Sequence, residues 1–189
     1  MKIMVLNGPN LNLLGSWLPD VYGTTTLSEL ERQLADFALR ECSDVELYFL
    51  QTNHEGQLID FIQKARVNYD GIIYNPAAHG AYSLALRDAV EAATIPVVEV
   101  LLGGSGDTPS HSERVPGSVA AESAAPEPIT CEPVASQFVT APAPPFPATP
   151  VSGSLITAVA VAQFEGCGVS PYRRALSFLV EYLRRQENP

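Results

Sequence analysis

Residues 6–23 read LNGPNLNLLGSWLPDVYG, directly after an apolar run over residues 3–6 that has the look of a buried strand. Asn7, Gly8, Pro9 and Asn10 break that strand and begin a loop, so polar side chains and free amides collect at its carboxyl end. In an open α/β sheet, ligands bind at that end. Asn10, Asn12 and Tyr22, with three glycines, suit a lid over a small polar molecule. The plainer alternative is a strand-to-helix connection in which Asn and Gly serve only turn geometry.

Working outward, Thr26 and Glu29 form a capping box, and Leu27, Leu30, Leu34, Phe37 and Ala38 follow at helical spacing to about Arg40. Strand formers over residues 45–50 end in the polar cluster 51–56, and Leu58, Ile59, Ile62 and Ala65 line a second helix. Residues 71–75 read as a third strand closed by Asn75 and Pro76, with a helix over 82–93. Residues 95–102 read as a fourth strand containing one acid, Glu99, which needs a partner if buried. A fifth strand over 158–164 and a closing helix over 171–185 complete the pattern. Strands alternating with helices imply parallel pairing with right-handed crossovers.

The loop at 6–23 resembles the amino-terminal signature of type II 3-dehydroquinate dehydratases. The likeness continues at 51–56, Asn75 and Pro76, 83–89 and 95–100, and resumes at 157–168 and 172–179. The resemblance implies a flavodoxin-like α/β fold, a five-stranded parallel sheet of order 2-1-3-4-5 with helices on both faces. It also implies dehydration of 3-dehydroquinate to 3-dehydroshikimate through an enolate, with no metal and no cofactor. A lid tyrosine acts as base beside an arginine that favours its phenolate, because a phenol of pKa about 10 is otherwise a poor base at neutral pH. An asparagine holds the water that stabilises the enolate, and a histidine oriented by a glutamate protonates the leaving hydroxyl.

Carried over by position, Tyr22, Asn10 and Glu99 fall on catalytic places. Asn75, Arg87 and the backbone amides of Leu102 and Gly103 fall on substrate-binding ones. The departures are Trp17 for the lid arginine, Leu101 for the acid histidine, Ala81 for a substrate-binding histidine, and Thr108 for an arginine after the fourth strand. His79, two residues before Ala81, and His111 are possible surrogates, although a lone histidine is more often a packing residue. The expectation is a lyase fold whose native activity is weak, lost, or moved to a related hydroxylated cyclic carboxylate. A non-catalytic binding or assembly protein on the same fold is the alternative. The resemblance further implies a homo-oligomer, trimer or dodecamer.

The 189-residue chain suits one domain, and its net charge of −10 argues against a nucleic-acid or anionic membrane partner. Cys42, Cys131 and Cys167 are odd in number and widely spaced, which suggests neither disulfides nor a zinc site and fits a reducing cytoplasm. No apolar run approaches the ~20 residues of a spanning helix. Ten of the 16 prolines fall between about 103 and 153, amid Ala, Ser, Thr and Gly. That composition predicts a mobile insertion, read as a tolerated surface excursion, a misread gene segment, or an arm for a protein partner.

Overall fold

The computed structural model describes residues 1–103 and 154–187, so the Pro-rich stretch, Thr108 and His111 lie outside the described residues. Five strands form one sheet: β1 (Lys2–Asn7), β2 (Glu46–Gln51), β3 (Gly71–Asn75), β4 (Val97–Leu102) and β5 (Ala162–Gly166). Their order is β2-β1-β3-β4-β5, every pair parallel, as the alternation of strands and helices requires. The short α1 (Pro19–Tyr22) belongs to the loop after β1. The sheet is covered by α2 (Leu27–Glu41), α3 (Glu55–Asn68), α4 (Leu84–Glu91) and α5 (Ser170–Glu187).

Alternating side chains divide the core. Ile3, Val5, Ile73, Val98, Val100 and Phe164 face α2 and α5 together with Leu34, Tyr172 and Leu176. Met4, Leu6, Ile72 and Tyr74 face α3 and α4 with Leu58, Ile62 and Leu86. Burying strand side chains on both faces is what makes β1 and β3 read as unbroken apolar runs.

Caps set the helix starts. Thr26 Oγ1 accepts from the Glu29 amide at 3.2 Å, as the capping pattern predicts. Ser83 Oγ accepts from the Leu86 amide at 3.0 Å, so α4 begins at Leu84 rather than at 82, and Ala77–Ala81 form a 3-10 turn instead. The fourth strand starts at Val97 rather than at 95 because Pro96 has no N–H to give, although its carbonyl still accepts from Ile72 at 3.0 Å. The fifth strand departs most from expectation: it begins at Ala162, after a 3-10 turn over Ile156–Ala158. The Ser154 hydroxyl accepts from the Ile156 amide at 3.2 Å and bends the chain there.

Candidate active site at the carboxyl ends of the strands

The loop after β1 and the loop after β3 meet in backbone contact. The Gly8 amide donates to the Asn75 carbonyl at 2.8 Å, and a Cβ on Gly8 would lie 2.6 Å from the Pro76 oxygen. Only glycine permits that approach. Beside it, Asn10 is exposed, adopts a left-handed φ of 66°, and gives its amide to Asn53 Oδ1 at 3.0 Å. The Gln51 side-chain amide ties the rim together, donating to Asn53 Oδ1 at 2.9 Å and to the Gly8 carbonyl at 3.2 Å.

Asn7 and Asn75 are paired across β1 and β3, and both side chains are buried. Between them stands the Tyr172 hydroxyl of α5, which accepts from Asn75 Nδ2 at 2.9 Å and donates to Asn7 Oδ1 at 2.7 Å. Asn75 Oδ1 in turn accepts from the Ala77 amide at 3.0 Å. Burial pushes the Tyr172 phenol far above its usual range, and the bond from Asn75 opposes this only in part. Asn7 Nδ2 has no hydrogen-bond partner among the described residues.

Glu99 pairs with Tyr74 across β3 and β4 and is fully buried, with its side chain on the face opposite Tyr172. Two hydroxyls donate to it, Ser154 to one carboxylate oxygen and Thr157 to the other. Burial outweighs both donors and pushes the carboxyl up to about 7. The Tyr74 hydroxyl on the same face is buried without a partner among the described residues and is raised first by burial and then by Glu99. Gly80 completes this cluster. Its carbonyl accepts from the Leu155 amide at 2.7 Å, and a Cβ there would lie 2.8 Å from Ser154 Oγ.

Tyr22, half-buried at the end of α1, stacks on Trp17 with centroids 5.1 Å apart and planes at 21°. Leu101 stands two residues after Glu99, on the same side of β4 and half-buried. Ala81 is exposed. His79 is nearly buried, its ring edge-on to Tyr82 at 5.7 Å, and Nδ1 lacks a partner among the described residues. Burial holds the imidazole pKa below its usual range, with Glu55 pulling the other way. Arg87 on α4 is engaged by Asp88, Nη2 to Oδ1 at 2.6 Å. The Gly103 amide is given to the Gly166 carbonyl at 3.2 Å, an extension of the β4–β5 ladder that the sequence did not foretell.

The sheet thus brings Asn10 and Asn75 to one crevice, with Asn75 and Glu99 hung from opposite faces. Sequence reasoning missed Asn7, Tyr172, Ser154 and Thr157. Asn7 had a signal, as the first polar residue after the apolar run; the hydroxyls had none local enough to read. Among the described residues no cluster of three or more His, Cys, Asp or Glu could hold a metal. No helix there is long and apolar enough to cross a membrane.

A parallel sheet of order 2-1-3-4-5 with helices on both faces defines an open α/β protein of flavodoxin-like topology, the architecture in which ligands bind at the carboxyl ends of the strands. The family described as "Dehydroquinase class II" matches residues 1–107. Over 188 residues the chain is 37% identical to the 3-dehydroquinate dehydratase of Carboxydothermus hydrogenoformans, covering 100% of this chain and 96% of the relative. It is 58% identical over 100 residues to the 3-dehydroquinate dehydratase of Bacillus licheniformis, covering 53% of this chain and 68% of the relative. The crystal structure of the type II dehydroquinase from Butyrivibrio crossotus matches with a TM-score of 0.68 at 28% identity, covering 95% of this chain and 97% of that one. The chain belongs to the class II dehydroquinase family.

Proposed function

We propose that the crevice binds 3-dehydroquinate or a closely related hydroxylated cyclic carboxylate, and that the protein dehydrates it weakly. Tyr22 is the base, and Asn10 at the rim holds the water that meets the enolate oxygen. Asn75, Arg87 and the Leu102 amide position the substrate. The likeness, over the whole of this chain, to a relative named 3-dehydroquinate dehydratase supports the substrate class.

The observation that carries the weak activity is the Trp17–Tyr22 stack. An indole stands where the resemblance puts a guanidinium, and a neutral ring supplies no charge to favour a phenolate. Leu101 likewise has no proton to give, and the carboxylate that would orient a histidine there is occupied by Ser154 and Thr157. That occupation also favours the second reading, a non-catalytic binding or assembly protein. As an oligomer of family type, trimer or dodecamer, the protein should scatter light as one of those masses rather than as a monomer.

The test is to follow the ultraviolet absorbance of the conjugated product after adding 3-dehydroquinate. Turnover should be very slow and lost in Tyr22→Phe. The triple variant Trp17→Arg, Ala81→His, Leu101→His should be faster by about 10²–10⁴. Robust turnover by the unmodified protein would overturn the weak-activity claim. A silent triple variant, with no substrate-dependent melting shift in either protein, would favour the non-catalytic reading.

A further inference from the structure

A second cleft, of about 530 Å³, lies between α2, β5 and α5, and none of the crevice residues lines it. That volume is in the range of small-molecule sites. Its walls are Phe37, Phe164 and Phe178, the last two in edge contact at 5.8 Å. Two consecutive arginines of α5 enter it: Arg173 lies over the Phe37 ring at 5.6 Å and Arg174 over the Phe164 ring at 5.1 Å. A guanidinium is a planar fork of N–H donors that matches a planar oxyanion.

Both forks are under-used. Arg184 and Arg185 further along α5 each meet a carboxylate, whereas Arg173 and Arg174, like Arg40 and Arg66, form no such ion pair among the described residues. Arg173 Nε is buried with no hydrogen-bond partner there, and Arg174 makes one long bond, 3.5 Å, to the Glu165 carbonyl. Glu181 also lines the cleft, but its carboxylate is held by Arg185. The result is a local positive spot, walled by phenyl rings, on a chain of net charge −10.

We propose that this cleft binds a small aromatic carboxylate, its ring against the half-buried Phe37 and Phe178 and its carboxylate on the terminal N–H groups of Arg173 and Arg174. An inorganic anion would leave the open parts of Phe37 and Phe178 uncovered, and a neutral aromatic would leave both guanidiniums unmatched.

The proposal is tested by ligand-dependent melting of the full-length protein with benzoate, inorganic phosphate and benzyl alcohol as probes. Benzoate should give a saturable rise in Tm that the other two do not match. Arg173→Gln should weaken benzoate binding about tenfold or more, by loss of a charge-assisted bond. Ser177 is exposed on the cleft wall, so Ser177→Trp fills the cleft without disturbing the core and should abolish the shift. Tyr22→Phe should leave the shift intact, which separates this site from the proposed active site. An equal response to phosphate, an absent benzoate shift, or a shift that survives Ser177→Trp would overturn the proposal.

Discussion

The two polar clusters beneath the crevice lie almost level on opposite faces of one sheet and are made of different chemistry. On the α5 face, Asn7, Tyr172 and Asn75 join two amides and a phenol, none of which carries charge near neutral pH. On the α4 face, Ser154 and Thr157 close on a carboxylate that titrates near neutrality. Both pair polar groups that would be costly to bury alone, although Asn7 Nδ2 in the first is left without a partner among the described residues. Only the second makes its satisfaction depend on pH. A protein can therefore hold one side of its crevice constant while the other side responds to protons.

The largest effect should come from breaking the neutral cluster. Tyr172→Phe strands an acceptor on Asn7 and a donor on Asn75, both fully or nearly fully buried, at a cost of about 3–5 kcal/mol. Urea unfolding should show the same loss at pH 5 and pH 8, because neither amides nor this raised phenol ionise in that range. A loss that changed with pH would erase the contrast between the clusters.

Next comes Glu99→Gln, which acts through linkage. Glu99 has a folded pKa raised from 4.5 to about 7. Between those values the native state holds a proton that the unfolded chain has released. Stability is then full below the unfolded value and falls as pH rises through the folded one, by about 3 kcal/mol. The glutamine variant should lack this decline, and should therefore gain on the wild type between pH 5 and pH 8. Parallel stability curves for the two proteins would show that Glu99 is not the titrating group.

The smallest effect sharpens the contrast rather than breaking it. Thr157→Val removes one donor to the ionised carboxylate, at a cost of about 1.5 kcal/mol above pH 8 and less at pH 5, where the carboxyl is neutral. An equal cost at both pH values would mean that the hydroxyl serves the turn over Ile156–Ala158 rather than the charge.

Much of the fold was legible because the chain marks its own boundaries. Asn75 and Pro76 end β3 at the residue expected, and Thr26 starts α2 where its hydroxyl meets the Glu29 amide. The need of Glu99 for a partner could also be read, since a lone acid amid Val97, Val98 and Val100 must be paired if buried. Which residues supply the partner could not, because Ser154 and Thr157 are 55 and 58 positions away. The start of β5 was misplaced for the same reason: the apolar residues near 158–161 look like strand, but hydroxyls on either side of Ile156 are drawn to Glu99 and wind the segment into a turn. Tyr172, 165 residues from Asn7, is the extreme case of contacts that local pattern cannot carry.

The contact at Gly8 limits which parts of this site can change. The floor of the crevice is main chain against main chain, Gly8 amide on Asn75 carbonyl, with no room for a side chain at position 8. Substitutions elsewhere therefore rewrite the rim without moving the floor. Trp17, Ala81 and Leu101 occupy such positions, and half-buried or exposed as they are, they impose little steric veto on a different side chain. Side chains at those three places can be exchanged, and the chemistry of the rim rewritten, above an unaltered backbone.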